Sequence, residues 1–184
     1  MLLHHLIAFT AAVGSVSALD PLKDFCRLHS HRTAVFDRKL YIDGGFVNWA
    51  PLTASSVNET GSWLRVGNFD TPDLGFLNQP TLAKNESIPS VSSGILWPDT
   101  ANKIIYAYGG EQEDSETPDE RLWAHDVVYN TRNVSTPERI LSVGQASWGA
   151  GATASDKALG YCYGGRPTNA TETTILSTMI VYDI

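Results

Sequence analysis

Short apolar runs in this chain alternate with small and polar residues, and three of the runs end alike: Tyr41-Ile42-Asp43-Gly44-Gly45, Tyr106-Ala107-Tyr108-Gly109-Gly110 and Tyr161-Cys162-Tyr163-Gly164-Gly165. The leading tyrosines stand 65 and 55 residues apart, near a repeat period of about 50 once loop insertions are allowed for. Ahead of each run lies another small-residue and apolar segment closed by an Asp, Thr33 to Asp37, Ser93 to Asp99 and Ala150 to Asp156. Asp favours turns because its side chain bonds nearby backbone N–H groups. The links Asp37-Arg38, Asp99 to Asn102 and Asp156-Lys157 are short enough for hairpins, so each copy predicts an antiparallel strand pair. A third strand is predicted at Val128-Tyr129-Asn130 and Val181-Tyr182-Asp183, with Phe69-Asp70 in the looser first copy. Thr81 to Lys84 predicts a fourth strand in the first copy, and Arg132-Asn133-Val134 a weak one in the second.

A Gly-Gly pair suits the end of an inner strand, where neighbouring sheets crowd together, since Gly permits close approach and positive φ. The pattern resembles the kelch repeat, in which a hydrophobic run, a Gly-Gly pair, a later Tyr and a Trp mark four strands of one propeller blade. Phe25-Cys26-Arg27, Leu40 to Gly45, Leu96-Trp97-Pro98-Asp99 and Trp148 to Ala152 are similar to secreted or membrane-anchored kelch proteins of filamentous fungi. The resemblance implies an all-β, kelch-type β-propeller of about three blades of four-stranded antiparallel sheet. Its signature positions are Tyr41, Gly44, Gly45, Tyr106, Gly109, Gly110, Tyr129, Tyr161, Gly164, Gly165 and Tyr182. The Trp expected about six residues after Tyr129 is missing, and the Tyr and Trp positions of the first copy are not clearly filled. A β-sandwich with Gly-rich turns is the competing architecture.

The division that follows is a signal peptide over 1–18, a lead-in over 19–31 and a partial propeller over 32–184, with blades near 32–88, 91–141 and 146–184. Three blades fall short of the four to eight with which propellers close. The chain also stops at Tyr182-Asp183-Ile184, within the third strand of the third copy. The expectation is an N-terminal portion of a longer architecture, or a short form that self-associates. Leu2 to Val16 is apolar and uncharged and ends in Val16-Ser17-Ala18, which fits signal-peptidase cleavage before Leu19. Secretion or cell-surface display is expected, with any membrane anchor lying in further C-terminal sequence or in a retained signal anchor. Four sequons, at Asn58, Asn85, Asn133 and Asn169, agree with that compartment and predict a glycoprotein. Two cysteines are too few for a disulfide scaffold. Cys162 is predicted to be a buried small hydrophobe, while the pairing of Cys26 is left open.

A net charge of -7 without a basic cluster argues against a nucleic-acid partner. Glu111, Glu113, Asp114, Glu116, Asp119 and Glu120 concentrate acid after Gly110, but without the spacing of a calcium loop, so a solvated acidic loop is expected. Three long insertions, Phe46 to Ser62, Glu111 to Arg121 and Arg166 to Thr174, follow the second strand of each copy and so leave by one face. Variable length on one rim of a rigid scaffold is how binding surfaces are commonly built. Trp49, Glu111, Glu113, Asp114 and Arg166 are the candidate ligand contacts, and the ligand class is a protein or a glycan. Trp49, Trp63, Trp97, Trp123 and Trp148 suit either core or sugar stacking.

Catalytic motifs such as Gly-x-Ser-x-Gly, His-Glu-x-x-His and Gly-x-Gly-x-x-Gly are missing from the sequence, and no catalytic residue, metal or cofactor is assigned. His29 and His31 would need His125 beside them to bind a metal. Adjacent residues on a strand face opposite ways, which separates His125 from Asp126. Tyr161-Cys162-Tyr163 invites comparison with galactose oxidase, a copper enzyme on a kelch-type propeller that uses a Cys-modified Tyr. Its Tyr and His ligands come from distant blades and have no matching motif here. The expected role is an extracellular kelch-repeat binding or scaffold module, the alternative a remnant or part of such an enzyme.

Overall fold

The computed structural model describes residues 25–51, 59–60, 63–68, 81–83, 91–112, 122–135, 145–167 and 174–184. These residues are all β, with no helix among them, and every strand pairing is antiparallel. The chain enters through β1 (Phe25–His29) and then runs β2 (Arg32–Phe36) and β3 (Lys39–Asp43) as a hairpin. Next, β4 (Phe46–Trp49) returns to lie between β1 and β5 (Glu59–Thr60). The strands β6 (Trp63–Asn68) and β7 (Thr81–Ala83) complete sheet I in the order β2-β3-β6-β7. Sheet II repeats that meander with β8 (Ile95–Asp99), β9 (Ile104–Tyr108), β10 (Leu122–Asp126) and β11 (Thr131–Ser135). The last part of the chain carries β12 (Ala146–Ser147), β13 (Ala150–Ala154), β14 (Leu159–Tyr163), β15 (Arg166–Pro167) and β16 (Met179–Asp183). Sheet III is β13-β14-β16, and β12 pairs with β15.

Turn chemistry sets the hairpins. Asp37 and Arg38 have φ of 47° and 57°, the left-handed pair that a two-residue type I′ turn requires. Sheets II and III use four-residue turns instead, each closing on a left-handed residue: Lys103 (φ 61°), Asn130 (φ 52°) and Ala158 (φ 51°). Asp99 Oδ1 accepts from the amides of Ala101 and Asn102 at 3.0 and 3.1 Å. Asp126 Oδ1 accepts from Val128 and Tyr129 at 2.8 and 3.0 Å. Both acids satisfy turn amides that would otherwise compete for water.

The expected third strand of the second copy is therefore corrected. Tyr129 lies in the Val127–Asn130 turn at 76% exposure, and the strand is Leu122–Asp126. Asp126 binds the amide of Tyr129, which turns the chain before an aromatic there can join a strand. Arg132 to Val134, expected to be weak, forms all but the ends of β11. Cys26 lies within β1 rather than ahead of the first strand, and the lead-in contains that strand. Phe46 to Trp49, expected at the base of a loop, is the central strand between β1 and β5. Phe69-Asp70 and the segment 1–24 lie outside the described residues.

The sheets stack through alternating residues. One face of sheet I brings Ala34, Phe36 and Tyr41 against Leu96 and Ile105 of sheet II. The other face of sheet II brings Ile95, Trp97 and Tyr108 against Cys162 and Ile180 of sheet III. Trp97 is fully buried; it stacks on Tyr108 at 4.9 Å and donates from its indole N–H to Tyr161 O at 3.0 Å. Gly151 and Gly160 make room for this, because a Cβ on either would strike Ile95 or Trp97. The first strands β2, β8 and β13 consequently lie side by side.

Candidate binding rim

Each Gly pair follows the second strand of its sheet, and the first two lie against the segment that leads into the next. A Cβ on Gly44 would run into Val91 O, and one on Gly109 into Ala146 O, while their φ values are 66° and 61°. Gly45 and Gly110 donate to those two carbonyls at 2.9 and 3.3 Å. Past each pair the chain meets the lead-in to its own sheet: Phe46 opposes His29, Glu111 bridges Ser92 and Arg166 opposes Ser147. The lead-ins turn through Ser30, Ser93 and Trp148, all left-handed with φ of 54°, 59° and 64°. They are joined backbone to backbone, Ser93 N to Ser30 O at 2.6 Å and Trp148 N to Ser93 O at 2.9 Å. One rim of the stack is thus a connected series of turns from which the inserted segments emerge.

Two of the sequence candidates meet on this rim. Glu111 Oε1 accepts from Arg166 Nε at 2.8 Å, from a second guanidinium nitrogen of Arg166 and from Ser147 Oγ at 3.1 Å. The two side chains are 22% and 38% exposed, so solvent screens the pair and it positions rather than stabilises. The Arg166 guanidinium lies 6.0 Å from the centre of the Trp148 ring, and Trp148 is 56% exposed. A bulky residue at positive φ is uncommon outside strained or functional turns. Sequence reasoning left Trp148 among core-or-sugar candidates and passed over Ser147; the signal available was Trp148-Gly149 at the register of Ser30-His31 and Ser93-Gly94. Trp49 sits half-buried in β4, and Glu113 and Asp114 lie outside the described residues.

The remaining candidates divide between core, strand edge and undescribed segments. Tyr41, Tyr106 and Tyr161 occupy one register in β3, β9 and β14, opposite Ala34, Trp97 and Ala152. Burial, then the nearby Asp37 or Asp99, pushes the Tyr41 and Tyr106 phenols up. Tyr182 packs 5.2 Å from both Trp97 and Tyr108. Cys162 is buried, which raises its thiol pKa, and Cys26 is an exposed free thiol. Asn133 is exposed on β11, at the edge of sheet II; Asn58, Asn85 and Asn169 lie outside the described residues.

His125 is not with His29 and His31. It lies between sheets I and II beside a small cavity that Arg32, Asp43 and Arg132 also line, while the other two flank Ser30 on the rim. Arg32 Nε and a terminal nitrogen donate to Asp43 Oδ2 at 2.8 and 2.6 Å, and Arg132 Nε lies 3.3 Å from His125 Nδ1. Burial first, and the Arg132 charge second, push His125 down to about 4, so the ring is neutral near pH 7 and Nδ1 accepts from Arg132. Arg32 of sheet I also donates to Gly109 O, just past β9 of sheet II, at 3.5 Å, which links the two sheets. Among the described residues, no three His, Cys, Asp or Glu side chains gather as a metal site.

No family model matches the chain, and no curated protein is significantly similar to it.

Proposed function

We propose that this chain is an extracellular or cell-surface kelch-type propeller module that binds a glycan on the rim around Trp148. Support for the propeller comes from three sheets in common register, adjacent first strands and Gly pairs seated twice on the following lead-in. The observation that carries the ligand reading is the solvent-facing Trp148 ring beside a Glu111–Arg166 pair. A sugar offers an apolar C–H face for the indole and hydroxyls for a carboxylate and a guanidinium held in place. The four sequons and the apolar N-terminal segment support the secretory compartment.

The test is a glycan array probed with the secreted chain, followed by titration of any hit. Trp148→Ala is expected to weaken binding by about tenfold or more, with Arg166→Ala smaller in effect, at unchanged thermal stability. A silent array alongside a pulldown of one protein that Trp148→Ala abolishes would replace the glycan with a protein ligand.

A further inference from the structure

The Glu111–Arg166 pair uses only part of its hydrogen-bonding capacity. The three bonds that hold the Glu111 side chain converge on Oε1, which accepts from Arg166 Nε, from Arg166 Nη2 and from Ser147 Oγ. Glu111 Oε2 and Arg166 Nη1 carry no hydrogen bond to any described residue, and the two side chains reach solvent at 22% and 38% exposure. The platform beneath them is fixed. Ser147 is fully buried, and the Trp148 amide is bound to Ser93 O at 2.9 Å. Gly165 lets the chain after the third pair close on β12, since a Cβ there would come within 2.4 Å of Ser147 O and 2.8 Å of Gly149 N. One acceptor, one donor and the exposed Trp148 ring therefore stand together before any ligand arrives, which removes part of the ordering cost of binding.

A carboxylate oxygen only accepts and a guanidinium nitrogen only donates. A hydroxyl does either, so two hydroxyls on adjacent carbons match Oε2 and Nη1 at once, while the C–H face of the same ring covers the indole. An apolar side chain offers the face without the polar groups, and an amide side chain offers the polar groups without the face. We infer that the rim takes a neutral pyranose through a vicinal pair of hydroxyls, one donating to Glu111 Oε2 and one accepting from Arg166 Nη1, and that Glu111 is the residue that turns acidic sugars away. This rests on the glycan reading of the rim, and adds to it the class of sugar and the residue that selects it.

The selection follows from charge. Arg166 is the cation that a ligand carboxylate or sulfate seeks, but Glu111 already neutralises it, and an anion brought to Oε2 meets a like charge. The chain that continues from Glu111 carries Glu113, Asp114, Glu116, Asp119 and Glu120, and the formal net charge of the whole is -7, so the longer-range field also opposes anions. A neutral sugar meets neither penalty. Its hydroxyls gain charge-assisted hydrogen bonds, and an analogue that lacks one of them leaves a charged group of the site unpaired.

The experiment is titration calorimetry of the full secreted chain with the methyl glycosides of glucose, galactose and mannose, the single-deoxy analogues of whichever binds, and the methyl glycosides of glucuronic and galacturonic acid. The expected result is that a neutral glycoside binds and that loss of either of two adjacent hydroxyls weakens it about tenfold or more, with smaller effects elsewhere on the ring. Both uronic acids should bind about tenfold or more weakly than the neutral sugar. Glu111→Gln keeps an acceptor for Arg166 and Ser147, and is expected to narrow the neutral-to-acidic affinity ratio by about tenfold or more at unchanged thermal stability. A Glu111 that only held the rim in shape would weaken every sugar alike, so an unchanged ratio overturns its selecting role. Uronic acids that bind as tightly as neutral sugars and are lost with Trp148→Ala overturn the inference but leave the glycan reading standing, as does a deoxy series without an adjacent pair. No binding to any of these sugars also overturns the inference, and the glycan array then decides the glycan reading separately.

Discussion

Single residues carry effects that their neighbours decide. Gly109 and Gly164 belong to the same signature, but only Gly109 is pressed against a carbonyl of the next lead-in. Gly164→Ala is expected to cost about 1 kcal/mol, the penalty of a left-handed Ala. Gly109→Ala adds a backbone clash and should cost about 2–4 kcal/mol; urea melts of both variants measure the difference. His125 makes stability depend on pH. Its folded pKa of about 4 is below the ordinary value of 6.5, so the unfolded chain binds the proton first. The stabilisation is present above about pH 6.5 and is lost as pH falls towards 4. His125→Gln should flatten that part of the stability profile while leaving an acceptor for Arg132.

At the scale of strands and sheets, the aromatic residues separate by role. Trp97 is sealed between sheets II and III, and Trp97→Ala is expected to cost about 3–5 kcal/mol. Trp148, half outside on the rim, should cost under about 0.5 kcal/mol on the same substitution, since it leaves no core cavity. Paired denaturant melts test this. The hairpins were legible because acids and short links between apolar runs have few turn geometries open to them. The third strand of the second copy was not. Val128 and Tyr129 have strong strand propensity, yet Asp126 captures their amides and makes them a turn. Of the rim, Glu111 and Arg166 were legible as residues that follow Gly pairs, whereas their contact is made between sheets, 55 positions apart in sequence.

For the whole molecule, coverage sets local stability. Sheet II is packed on both faces and sheet III on one. Hydrogen exchange should find β8, β9 and β10 most protected and β14 and β16 opening sooner, by about tenfold or more. The sequence by itself determined the all-β class, the three copies and the strand pairs at their centres, since short apolar runs, acidic turns and Gly pairs act over a few residues. Tertiary structure decided which aromatics are core, that Glu111 and Arg166 meet beside an exposed Trp148, and that Tyr163 and Met179 of sheet III face solvent. Those outcomes depend on the stacking of one sheet on the next, and no local pattern encodes what lies across a sheet interface.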